Sequence, residues 1–256
     1  MKIEPLNLTE DAELEILPER NPSFWKRQFE IETTEAQRSF DWVYGVWVPL
    51  LCVVADPIVF RNGGILGNYR PFAYLLSSVS IVSMVAWLLW GKRVGWLGAP
   101  IGGLFIAGSF ISLIVGVTLL PYSVFGLLIA IGFLGFTPLF SALVYLRNGI
   151  RALNASGMAL EKRVVWQSAV LAGMLALIIP YIVNVQISRM VTKVVTGDVS
   201  TMRTESAKLR YVRPLVDAGA IQRRYYEAQN AGESQKMREL DRIHQELTGK
   251  SAEHFY

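Results

Sequence analysis

Charge is segregated along this chain, and that segregation constrains its fold more than any other feature. Between residues 40 and 188 charged side chains are sparse and apolar runs dominate, whereas residues 1–39 and 189–256 are rich in Lys, Arg, Asp and Glu. Only 18% of the 256 residues are charged and 52% are hydrophobic, against about 25% charged in an ordinary soluble domain. The mean hydropathy is +0.34. A bilayer-embedded middle with water-facing ends accounts for the pattern. In hydrocarbon every backbone polar group must be satisfied within the segment, so apolar runs of about 20 residues read as helices. The expected fold is an all-α integral membrane protein: a bundle of about five transmembrane helices with a helical C-terminal extension.

The spans are placed at about 42–60, 71–90, 94–120, 122–146 and 164–188. The first is the weakest, because it contains Pro49, Asp56 and Pro57, and a re-entrant or interfacial segment competes with a full crossing. The second is free of charge and has aromatics at both ends, as an aromatic belt requires. Pro121-Tyr122 reads as a tight turn that makes the third and fourth spans an antiparallel hairpin. Three regions follow: a polar tail over 1–39, the bundle over 40–188 and a water-exposed tail over 189–256. Residues 1–23 read as extended chain. The aromatic and basic run over 24–29 can begin a short helix on the membrane surface.

The first 20 residues are acidic and lack the apolar core of a signal peptide, so the first span is expected to serve as an uncleaved insertion signal. Basic residues near span ends favour a cytoplasmic N-terminus and a C-terminus outside. Arg147, Arg151, Lys162 and Arg163, in one loop, weigh most. The same excess accounts for the net charge of +4 without nucleic acid, for which no basic stripe with interleaved aromatics is present. A bacterial cytoplasmic membrane is the expected location.

Several residues stand out as candidates. Asp56 is an acid inside an apolar run, where a carboxylate can take part in ion or proton transfer. Arg61 nearby offers it a partner, and a place at the span boundary is the simpler role. Arg147 and Arg151, one turn apart, can hold a lipid headgroup or a partner's carboxylate. Gly98 with Gly102, and Gly108 with Ser112, are small-residue pairs four apart that let helix backbones approach closely; Gly126, Gly132 and Gly135 suit the same packing. Cys52 is single and reads as a small buried hydrophobe. In the tail, 234–247 reads as a helix with Met237, Leu240, Ile243 and Leu247 on one face. A tail this short and polar is expected to bury little core of its own. That stripe is therefore assigned to a partner, whether membrane surface, another subunit or the rest of the tail.

Both histidines, His244 and His254, fall in the tail, and His244 is expected on the polar side of its helix. No G-x-S-x-G, H-E-x-x-H or Walker-type loop occurs in the sequence, and no cofactor or metal is expected. The leading functional expectation is a non-enzymatic polytopic membrane subunit or scaffold whose amphipathic tail docks a partner in a larger membrane complex. Membrane lipids, other membrane subunits or further copies of the chain are the expected partners. The alternatives are a small transporter or channel using Asp56 and a lipid-modifying membrane enzyme.

Overall fold

A computed structural model of the chain describes residues 34–59, 70–90, 95–126 and 133–253. The expected extended tail over 1–23, the cluster over 24–29, and Arg61, Lys92, Arg93, Gly132 and His254 lie outside the described residues. All described elements are helical. They are α1 (Glu35–Trp42), a π-helical turn (Val43–Trp47), α2 (Val48–Val59), α3 (Arg70–Trp90), α4 (Gly98–Gly126), α5 (Phe133–Gly157), α6 (Lys162–Thr196), α7 (Val199–Tyr211), α8 (Gly219–Asn230) and α9 (Ser234–Thr248). Short 3-10 turns at Gly95–Leu97 and Arg213–Leu215 precede α4 and follow α7.

The protein is membrane-embedded. Among the described residues, four helical stretches are long and apolar enough to cross a bilayer: Glu35–Asp56, Arg70–Trp90, Gly95–Gly126 and Lys162–Thr196. α5, expected from sequence as a further span, is not one of these four; it runs antiparallel to α4. Gly98 faces Ala152 and Ser156 at one end of the pair, and Gly116 faces Leu139 towards the other. Arg147, Asn148 and Arg151 lower the hydropathy of α5, and all three turn inwards rather than to lipid. The outer surface of the bundle is apolar, as lipid contact demands. Leu51, Phe110, Val117, Leu143, Leu171 and Ile179 are among its exposed side chains.

α1, the π-turn and α2 form one continuous helical stretch that begins seven residues before the expected start, capped by Thr34 with Gln37 in a capping box. The turn expected at Pro121-Tyr122 is absent, because α4 runs through Pro121 to Gly126. Proline removes one backbone donor, whereas ending a helix in hydrocarbon strands four carbonyls. The shorter loss wins, so the helix continues through Pro121 to Gly126.

α4 is the hub, and its small residues make it so. A Cβ on Gly98 would sit 2.6 Å from Ser156 Oγ, and one on Gly102 2.8 Å from Leu153. One on Gly103 would overlap the Ala169 backbone of α6, and one on Gly108 the Ser80 side chain of α3. Three neighbours thus approach a single helix on three sides. Ser112, the partner assigned to Gly108, is only half-buried, and Gly103 and Gly116 are packing positions the four-residue spacing did not single out.

The tail departs most from expectation. α6 is 35 residues long, about 52 Å at 1.5 Å per residue, so it continues well beyond the hydrocarbon. Its last turns supply Ile187, Val191 and Val194 to a core completed by Met202, Leu209, Ile221, Tyr225, Leu240, Ile243 and Leu247. The short tail therefore buries a core after all, because the last membrane helix provides part of it. Met237 packs on its edge. The stripe Met237, Leu240, Ile243, Leu247 is thereby covered by the rest of the tail and is not an open docking face. His244 is buried, its ring Nδ1 2.9 Å from the Lys250 carbonyl, not solvated as expected.

Candidate functional site

Beyond the exposed Glu35 of its first turn, the first helical stretch carries two acids, Asp41 and Asp56, and both are buried. A charged side chain in a bilayer is expensive unless paired, and each acid has a cation on another helix. Asp41, in α1, pairs with Arg147 of α5, and its second oxygen lies 3.8 Å from Arg151 Nη1. Arg151 is fully buried and donates to Asn148 Oδ1 at 3.3 Å. Arg147 also lies over the Phe40 ring at 6.0 Å, a cation–π contact. Near the same end of the bundle, Arg38 donates to the Leu88 carbonyl at 3.3 Å.

Asp56, in α2, is held at the opposite end. Its Oδ2 lies 3.0 Å from Arg70 Nε at the start of α3, and the Tyr74 hydroxyl donates to the same oxygen. Arg70 is a partner of Asp56 that the sequence did not single out, whereas Arg61 lies outside the described residues. The two acids thus clip one helical stretch to α5 at one end and to α3 at the other. Between them Pro49 has no N–H to offer the Gly45 carbonyl four residues earlier. The buried Tyr145 hydroxyl of α5 donates to that carbonyl at 2.7 Å. The weakest span on paper is therefore bound at three depths.

Arg147 and Arg151 come together, as the one-turn spacing foretells, but against Asp41 inside the bundle. Arg151 cannot reach a headgroup at the surface, which corrects its assignment as a lipid contact. Two guanidinium groups face one carboxylate, so the cluster carries an excess positive charge. Arg151 Nε and Nη2 have no hydrogen-bond partner among the described residues. Sequence reasoning missed Asp41, Arg70, Tyr74 and Tyr145. The available signal was Asp41 itself, an acid at the head of an apolar run and therefore in need of a cation. Cys52, expected in a buried place, is exposed on the outside of the bundle.

The tail has its own charged surface. Arg203 and Arg242 bind Glu239, while Arg210 and Arg242 bind Glu246, a ladder across parallel helices α7 and α9. The Arg242 hydrogen bond, with Arg203 beside it, holds the Glu239 carboxyl below its usual range. A groove of about 810 Å³ runs where α6 leaves the bundle, lined by residues that include Asn184, Ser188, Arg189, Lys193, Glu205 and Lys208. No family model, curated protein or solved structure matches this chain.

Proposed function

We propose that the protein is a non-enzymatic membrane subunit or scaffold that holds a small helical domain at one face of the membrane, where that domain docks a partner in a larger complex. One observation carries this reading: α6 belongs to two cores at once. Its Ala176 packs with Leu76, Ala107 and Ile111 in the bundle, and its Ile187, Val191 and Val194 pack in the tail. A domain joined through an unbroken helix is held in a fixed relation to the membrane, as a docking platform requires. The charged surface of the tail, rather than the covered Met237–Leu247 stripe, is then what a partner meets.

The buried ion pairs support the same reading. Asp56 is engaged by Arg70 and Tyr74, and Asp41 by Arg147 and Arg151, so these acids join helices to one another. The excess of basic residues near the span ends supports an N-terminus inside and a tail outside, and a bacterial cytoplasmic membrane is the location proposed. α1 begins at the end of the bundle opposite the tail, which suits a chain whose two ends lie on different sides.

The test is the native mass after gentle detergent extraction from the source cells, with co-purifying chains identified. The expected result is a large assembly with stoichiometric partners, dissociated by charge reversal at exposed tail positions such as Arg238. A monomer with no co-purifying chain would overturn the proposal. A Gln245→Cys substitution in a Cys52→Ser background tests the orientation. An impermeant thiol reagent added to intact cells is expected to label it, and labelling only after lysis would reverse the assignment.

A further inference from the structure

The last membrane helix records its own depth. From 164 to 182 the exposed residues of α6 are largely apolar, Trp166, Leu171, Met174, Ile178 and Ile182 among them. That stretch of about 19 residues spans ~28 Å, the thickness of a bilayer's hydrocarbon. The exposed face then changes abruptly to Gln186, Ser188, Arg189, Thr192 and Lys193. The boundary between hydrocarbon and headgroups therefore falls close to Asn184.

The groove described above opens at this boundary. α7 folds back antiparallel to α6, with Lys193 Nζ 3.5 Å and Lys208 Nζ 3.0 Å from Glu205 Oε1. One turn beyond Lys208 is Tyr211, 91% exposed and a residue type suited to headgroup depth. The next turn, Arg213–Leu215, packs against α3, the helix that starts at Arg70. The returning strand of the hairpin has thus come back to the membrane face of the bundle. Three cations, Arg189, Lys193 and Lys208, line the groove with one acid, Glu205, leaving it with two net positive charges just beyond the hydrocarbon boundary. Asn184 and Ser188 add polar groups on the membrane side.

We infer that this groove binds the phosphate headgroup of an anionic phospholipid, with the acyl chains lying along the apolar face of α6. The role assigned from sequence to Arg147 and Arg151 is thereby carried by a different set of cations, at the opposite end of the bundle. The inference stands whether or not the tail docks a protein partner.

The experiment uses the full-length protein, delipidated in mild detergent and offered phosphatidylglycerol or phosphatidylcholine at equal concentration. Retention is read by native mass spectrometry and by the rise in melting temperature. Phosphatidylglycerol is expected to bind on the order of tenfold more tightly, with the preference shrinking as salt rises. The double substitution Arg189→Gln, Lys208→Gln should abolish the preference, while Arg189→Lys keeps it and Arg224→Gln, Lys236→Gln, outside the groove lining, leaves it unchanged. Glycerol 3-phosphate should compete weakly, lacking acyl chains. Equal retention of the two lipids, or a preference that survives the double substitution, would overturn the proposal. So would glycerol 3-phosphate binding as tightly as the lipid, which would make the ligand a soluble phosphate.

Discussion

The Tyr145 hydroxyl donates to the Gly45 carbonyl at 2.7 Å, joining side chain to backbone across 100 residues of sequence. Pro49 creates the vacancy that this bond fills, and the π-turn over Val43–Trp47 carries the chain past the proline ring. Removing the hydroxyl would leave the carbonyl bare in an apolar interior. Tyr145→Phe is expected to lower stability by about 1–3 kcal/mol, read as a fall in melting temperature in detergent. An unchanged melting temperature would show that another donor serves Gly45.

Asp41 faces two arginines, Arg147 and the fully buried Arg151. Asp41→Asn leaves buried cations facing each other and is expected to cost about 3–5 kcal/mol. Adding Arg147→Met to that variant should recover part of the loss, because it removes one of the stranded charges. Two substitutions whose costs simply add, in a double-mutant cycle, would show the residues to be uncoupled.

Leu240 and Ile243 distinguish a tail core from a docking stripe. Ile243→Ala is expected to destabilise the tail by about 2–5 kcal/mol, seen as faster proteolysis after α6 in the isolated protein with no partner present. A stripe that served only a partner would leave the isolated protein as resistant as before.

Acid should loosen the tail before it loosens the bundle. Glu239 is held low by its Arg242 hydrogen bond, Glu205 by its Lys208 hydrogen bond, and Asp198 at about 2 by hydrogen bonds from Thr201 and Ser200. A carboxylate depressed on folding stabilises the fold above its unfolded pKa, about 4, and ceases to do so as pH falls through the folded value. Protease resistance of the tail is therefore expected to hold from neutrality to about pH 5 and to fall below about pH 4. Glu239→Gln should make that fall shallower. A loss centred near pH 6 would assign the acid response to other groups.

Gly103 lets α4 approach the Ala169 backbone of α6 too closely for any Cβ. Gly103→Val would drive side-chain atoms into the Ala169 backbone, which cannot yield as a flexible side chain can. Loss of assembled protein is expected, measured as aggregation on gel filtration, whereas Gly157→Ala, in open space, should be silent.

Most of the membrane architecture is legible in the sequence, since hydrocarbon imposes one rule on every span and composition reports it directly. Helix ends were less legible. Pro121 reads as a turn because in water it would favour one, while inside a bilayer the helix continues. The pairing of Asp41 with Arg147 depends on how α1 and α5 meet, and nothing local to either residue encodes that meeting. The tail was misread for a related reason. Its core joins Ile187, at the end of the expected span, to Val191 and Val194 beyond it, and nothing local to α9 shows that this helix end covers its amphipathic stripe. The cationic groove escaped notice because Arg189 and Lys208 become neighbours only once α7 folds back.

α6 is also a lever. It continues as one helix past Pro180 and across the membrane boundary, so a change in its tilt would swing the tail or break the contact between Arg213–Leu215 and α3. A helix with a fixed apolar length tilts more in a thinner bilayer. The posture of the tail is in this way geared to membrane thickness, and a bilayer of altered thickness would present the same domain at a different angle.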